Sequence, residues 1–289
     1  MTLIRKTAWA AFALGLAALP FAADAAAPQP WQMGMQPAAS PTQEKVAELH
    51  DLLLVIITAI TLFVLALLAY VCWRFREEKN PTPSNTSHNT TIEVLWTVIP
   101  VLILVVIAVP SFRLLYFADR VEEADLTLKV TGFQWAWKYQ YPDQGNFQFE
   151  SYMIAESDLK PGQQRLLEVD NEVVVPVGKN VRVQVTGQDV IHSFYMPSLG
   201  MQKYAIPGRT LETWFRIEQP GVLYGQCNQI CGVNHAFMPI AIRAVPEAEF
   251  NTWAEQAKTR FADGQPPLSI AALRERGLLV ASAPQASLQ

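Results

Sequence analysis

Two uncharged apolar runs near the front of the chain constrain its fold more than any other feature. The first, Leu52 to Trp73, lies between Asp51 and Arg74. As a helix it would extend roughly 33 Å, enough to cross the hydrocarbon core of a bilayer. The second, Val94 to Phe112, lies between Glu93 and Arg113 and contains Pro100 and Pro110. A membrane helix tolerates internal proline better than a soluble one. Tyr70 and Trp73 sit near one end of the first run, at the level of an interfacial aromatic belt. Together the runs predict a transmembrane hairpin over 50–117, with helices at about 52–73 and 94–112. A buried helical hairpin in a soluble protein is the rival. Composition favours the membrane: only 17% of residues are charged, and the mean hydropathy of +0.14 is high for a soluble chain.

Loop charge gives the orientation. The 74–92 connection carries Arg74, Arg76 and Lys79, whereas 26–51 carries only Lys45. The positive-inside rule puts the connection in the cytoplasm and both ends outside. The N-terminus agrees. Arg5 and Lys6 precede the uncharged stretch Thr7 to Ala23, and Ala23-Asp24-Ala25 resembles a cleavage site. Residues 1–25 therefore read as a secretory signal peptide, with an uncleaved anchor helix as the rival. The mature chain would start near Ala26, outside a bacterial inner membrane, with 26–49 an exported N-terminal segment.

Beyond residue 118 the pattern changes to period two. Leu126 to Thr131, Arg165 to Val169, Val181 to Val185, Trp214 to Ile217 and Ile240 to Val245 alternate apolar and polar residues between turn signals. This predicts an all-β domain over 118–246. The fold class is thus α+β: a two-helix membrane hairpin followed by an exported all-β domain. Phe250, Trp253, Ala257 and Phe261 share one face of a helix opening the 247–289 segment. The remainder of that segment is a tail rich in Pro, Ala and Ser. A net charge of −4 excludes a polycationic nucleic-acid binder.

The chemistry is concentrated in one stretch, Cys227-Asn-Gln-Ile-Cys231-Gly-Val-Asn-His235-Ala-Phe-Met238, with His192 upstream in Asp189-Val-Ile-His-Ser. A Cys227–Cys231 disulfide would leave the histidines and Met238 unexplained. Structural zinc would use Cys₂His₂ and leave Met238 without a role. Blue copper takes one Cys, two His and a weak Met, and this set adds a second thiolate. Soft thiolate and thioether donors favour copper. Two thiolates able to bridge two ions suggest a binuclear copper site suited to electron relay.

These residues resemble subunit 2 of the haem–copper cytochrome c oxidases, in an alphaproteobacterial style. The likeness runs from Pro30-Trp-Gln through the hairpin and Glu93-Val-Leu-Trp96-Thr-Val-Ile-Pro100. It continues through Gly132-Phe-Gln-Trp135-Ala-Trp137, Leu167-Glu-Val-Asp170-Asn171 and Pro207-Gly-Arg209. It ends in Tyr224-Gly-Gln-Cys-Asn-Gln-Ile-Cys-Gly-Val-Asn-His-Ala-Phe-Met238-Pro. The resemblance implies a cupredoxin-like periplasmic domain and a copper A centre. Cys227 and Cys231 would bridge two coppers, with His192, His235, Met238 and the carbonyl of Gln229 completing the set. It implies that Trp135 receives electrons, that Asp143, Asp170 and Asp189 help dock a cytochrome c, soluble or membrane-anchored, and that Glu93 opens a proton path. The alternative for Glu93 is a carboxylate at a helix N-terminus. Implied partners are a haem-bearing subunit 1, a subunit 3 and membrane lipid.

Two departures stand out. Gln229 replaces the family's Glu, and Tyr204 replaces an Asp. The family's Mg/Mn site against subunit 1 is therefore expected to be absent or rebuilt. Quinol-oxidase relatives lack the two cysteines. A membrane-tethered copper carrier or assembly factor is the alternative function, but a closed site of six donors is ill suited to metal release. The chain has no Cys-x-x-Cys-His, so no haem c attachment is expected.

Overall fold

The computed structural model describes residues 27–262, except 83 and 120–122. The signal-peptide reading of 1–25 and the tail reading from 263 onward lie outside the described residues.

Helix α1 spans Pro41–Arg74 and α2 spans Thr90–Asp119. Both are longer than the apolar runs, because the signals that start them lie outside those runs. Ser40 caps α1, its Oγ accepting from the Gln43 N–H at 3.1 Å, with Pro41 in the first turn. The same Oγ donates to the Leu199 carbonyl, and the Ala39 N–H to that of Ser198, each at 2.8 Å. The upper end of α1 is thereby tied to the following domain. At the start of α2, Asn89 Oδ1 accepts from the Ile92 N–H while Glu93 Oε1 accepts from the Asn89 N–H, both at 3.2 Å. This is a reciprocal cap.

The most apolar stretch of each long helix is 0% buried within the chain. A large aliphatic or aromatic side chain forfeits about 1.5–3 kcal/mol if left in water rather than buried. The buried soluble hairpin is therefore excluded. These faces belong against lipid or another protein.

The second unit is a β sandwich of two five-stranded sheets. One has the order β3-β2-β1-β5-β8, the other β4-β10-β9-β6-β7. The first contains β1 (Leu126–Phe133), β2 (Ala136–Tyr141), β3 (Phe147–Ser151), β5 (Val181–Gly187) and β8 (Leu211–Phe215). The second contains β4 (Val173–Pro176), β6 (His192–Met196), β7 (Met201–Ala205), β9 (Gly221–Cys227) and β10 (Pro239–Val245). The period-two pattern works as expected in β5, where Val181, Val183 and Val185 are buried and Arg182 and Gln184 are less so. Strand β1 pairs in parallel with β5, Leu126 opposite Val181 and Gly132 opposite Gly187. Trp137, Tyr139, Phe194 and Phe215 fill the space between the sheets. Helix α3 (Glu247–Arg260) closes one end. Its Trp253 packs 5.3 Å from Tyr141, and Phe261, just past it, stacks 4.8 Å from Phe149.

One expected strand is absent. Residues 165–169 form a turn, with a single bridge from Val169 to Met153. Their alternation has another cause. Glu168 turns inward, where Oε1 accepts from the Gln164 N–H at 3.0 Å and the Tyr224 hydroxyl at 2.6 Å. Leu166 adopts a φ of 67°, which ends any extended run. The expected strand at Trp214–Ile217 is also shifted: β8 ends at Phe215.

Candidate metal centre

The loop after β9 is folded back between strand ends. His192 is the first residue of β6, Cys227 the last of β9, and Met238 immediately precedes β10. Phe194 of β6 pairs with Cys227, and the Asn228 N–H donates to the Ser193 carbonyl at 3.1 Å. The sheet thus holds the first thiol against the first imidazole.

All six residues expected from the sequence meet here. The two sulfur atoms of Cys227 and Cys231 lie 3.9 Å apart. His192 Nδ1 is 4.0 Å from the Cys227 sulfur, and His235 Nδ1 is 3.6 Å from the Cys231 sulfur. Met238 Sδ stands 3.6 Å from the Cys231 sulfur, and the Gln229 carbonyl 3.4 Å from that of Cys227. The ligand atoms of His192, Cys227 and Cys231 lie within 4.8 Å of one another. Both cysteines are free thiols, so a disulfide is not the arrangement here. Two thiols side by side, an imidazole at each end and a thioether make a soft donor set that fits copper.

Electrostatics prepare the pair for metal. The Cys227 thiol is pulled well below its ordinary value, first by a hydrogen bond from Cys231 and then by His192 and backbone groups, against the opposing effect of burial. Cys231 is pushed up by that same neighbouring sulfur and by burial. One thiolate forms readily, and a bound cation would favour loss of the second proton. For His192, burial works against the charged ring. Hydrogen bonds to Cys227 and Asp189 outweigh it and raise its pKa. Asp189 is itself lowered: partial burial is overcome by hydrogen bonds from His192, Gln134 and Val190.

Asp189 orients the first imidazole. Its Oδ1 lies 2.9 Å from His192 Nε2, leaving Nδ1 toward the sulfur atoms. Its Oδ2 accepts from the Gln134 N–H at 2.7 Å. Trp135 lies partly exposed on the loop, its Nε1–H donating to the Cys231 carbonyl at 3.1 Å. Gln134 Nε2 donates to the same carbonyl at 2.7 Å. Gly232 makes this contact possible. It has φ +123°, and a Cβ there would sit 2.8 Å from the indole. On the buried side, Trp137 Nε1 donates to the Met238 carbonyl at 3.1 Å. A Cβ on Gly132 would lie 3.0 Å from the His192 ring.

The other expected residues are dispersed. Asp170 accepts from the Tyr152 N–H at 2.8 Å. Tyr152 packs 6.1 Å from Phe133, so this acid lies at the Trp135 end of the sheet. Asp143 does not join them. It accepts from the Thr127 N–H at 2.7 Å, at the start of β1. The tryptophan follows the far end of that strand, at about 3.4 Å per residue some 20 Å away. Glu93 lies at the other end of the molecule in the α2 cap. Tyr204 pairs with Ser193, the residue whose carbonyl holds Asn228, so it shares an edge with Gln229.

Sequence reasoning missed Gln134 and Gly132. The place of Gln134 in the Gly132-Phe-Gln-Trp135 stretch was the available signal for the first. For the second the same stretch was the only signal, and its contact with His192 crosses between the two sheets.

Comparison with known proteins assigns the family. The cytochrome C oxidase subunit II periplasmic domain matches residues 126–245, and the subunit II transmembrane domain matches 28–114. A probable cytochrome c oxidase subunit 2 of Rickettsia bellii is 53% identical over 241 residues, 83% of this chain and 90% of that protein. The cytochrome c oxidase subunit 2 of Cereibacter sphaeroides is 43% identical over 249 residues, 80% of this chain and 82% of that one. The crystallised periplasmic domain of subunit II of cytochrome oxidase from Bradyrhizobium japonicum is 56% identical, covering 49% of this chain and 99% of its own, with a TM-score of 0.47. The chain belongs to the cytochrome c oxidase subunit 2 family: it is a component of that oxidoreductase complex, with a membrane hairpin and a cupredoxin-like domain in the position of electron acceptor.

Proposed function

We propose that this chain holds a binuclear copper A centre that takes electrons from cytochrome c and passes them to the haem-bearing subunit 1. The observation that carries the reading is the convergence of six donors on two sulfur atoms 3.9 Å apart. Cys227 and Cys231 would bridge the ions, His192 and His235 would each take one, and Met238 and the Gln229 carbonyl would bind weakly. Bound copper supplies a one-electron redox couple shared between two metals. The protein residues do the rest. Asp189 fixes the His192 ring, the β sandwich keeps water from the sulfur atoms, and Trp135 offers an indole hydrogen-bonded to a ligand residue. Asp189 and Asp170 flank that indole as the acidic part of a docking face for a basic cytochrome c. Asp143 lies outside it.

On this reading residues 1–25 are removed on export. The hairpin crosses a bacterial inner membrane twice, and the β domain stands in the periplasm. The family's hard-cation site is lost or rebuilt. Mg²⁺ and Mn²⁺ prefer charged oxygen ligands, and Gln229 and Tyr204 supply none. One preparation tests both metal proposals. Oxidase grown with added manganese should contain two coppers per chain and show a valence-delocalised, seven-line copper resonance. It should lack a stoichiometric six-coordinate manganese signal. One copper per chain would overturn the first proposal, and bound manganese the second.

Glu93 is proposed to deliver protons from the cytoplasmic side as well as capping α2. Glu93→Gln keeps the shape of the cap and removes the ionisable group. Proton uptake should slow while copper reduction is unchanged. Uptake equal to the parent at every pH leaves only the capping role.

A further inference from the structure

A cavity of about 390 Å³ opens between α1 and α2 just above the apolar runs, on the side that loop charge assigns to the periplasm. Leu49, Leu52 and Leu114 form apolar walls, and Lys45, Arg113 and Glu48 supply charge. Arg113 is the first charged residue beyond the second apolar run. Lys45 is seven residues before Leu52, about two helical turns. Arg113 therefore stands at the hydrocarbon boundary and Lys45 about 10 Å above it, both in the zone where lipid headgroups lie.

Cations at this end run against the positive-inside bias that the Arg74, Arg76 and Lys79 loop obeys. Among the described residues neither has a salt-bridge partner. Lys45 Nζ sits 4.9 Å from the centre of the Phe117 ring. Glu48 offsets one charge, leaving one positive charge in the cavity, which a single phosphodiester would balance. Charge above and aliphatic walls below match the two halves of a phospholipid. A free phosphate would gain nothing from the leucines.

We propose that the outer mouth of the hairpin binds one anionic phospholipid, its phosphate between Lys45 and Arg113 and the top of an acyl chain along Leu49, Leu52 and Leu114. The test uses the intact oxidase complex, with lipid retained after detergent exchange counted by native mass spectrometry. Wild type should retain one more phosphatidylglycerol than Lys45→Gln/Arg113→Gln. Phosphatidylcholine should not replace it, and excess inorganic phosphate should not displace it. Arg113→Lys should restore binding. Copper absorbance should be the same in every sample, so failure here is distinct from failure of the copper reading. Equal retention by wild type and the double variant overturns the proposal. Displacement by inorganic phosphate, or equal retention of phosphatidylcholine, overturns it too. If the double variant does not assemble, a photoactivatable phosphatidylglycerol applied to wild type decides. Its headgroup should label peptides carrying Lys45 or Arg113, and labelling confined to other sites overturns the proposal.

Discussion

The two histidine flanks of the metal loop are built differently. His192 is fully buried, begins a paired strand, and has its distal nitrogen held by Asp189 at 2.9 Å. His235 is only partly buried and sits in a single turn, His235–Phe237. Its Nδ1 faces the Cys231 sulfur, and its Nε2 makes no hydrogen bond among the described residues. One flank is thus organised by the fold before any metal arrives. The other has a single sulfur contact and no orienting hydrogen bond among the described residues.

The largest effect should come from Cys231→Ser, which strikes both flanks at once. Cys231 contacts Cys227, His235 and Met238, so its loss should abolish the near-infrared band and the delocalised resonance. A binuclear spectrum that survives would show the assignment of Cys231 as a bridging ligand to be wrong.

Trp135→Phe separates holding metal from reaching it. The ring still fills the space over Gly232, but the donor to the Cys231 carbonyl is gone. Electron uptake from cytochrome c should slow far more than binding weakens, with the copper spectrum intact. Stopped-flow reduction at saturating donor would measure this. An unchanged rate removes Trp135 from the path.

The smallest effect is the most selective. Asp189→Asn alters the orienting partner of His192 alone, and changes of this kind typically lower metal affinity about 10–100-fold. Competition with a copper chelator would show the loss, and hyperfine coupling should change at His192 but not at His235. Equal changes at both histidines would mean that the flanks are not distinct.

How much could be read in advance follows the same division. Two uncharged runs declare a membrane hairpin because little else tolerates them. Soft ligands within twelve residues point to a copper site because Cys and His are otherwise rare in this chain. What sequence hides is closure over distance. Gly132 meets His192, and Gln134 meets Cys231, only once the two sheets have packed face to face. Asp143 looks adjacent to Trp135 in the chain, yet a hairpin strand carries it to the opposite end. Residues 165–169 imitate a strand because an inward carboxylate and neighbouring apolar residues reproduce its alternation by chance.

The tie between Ser40 and Leu199 also has a geometric consequence. Between that tie and the start of the apolar run, Pro41 to Asp51 form continuous helix, a post of roughly 16 Å. Leu199 closes the turn after β6, the strand that begins with His192. The post therefore sets the height of the metal loop above the bilayer. On the proposed relay reading, electron tunnelling falls off exponentially with distance, so the length of the post would act as a ruler for the onward transfer rate. Adding one residue to the post would lift the loop about 1.5 Å and swing it about 100° around the axis. On that reading, the spacing between Ser40 and Leu52 would bear on function as directly as the ligand set does.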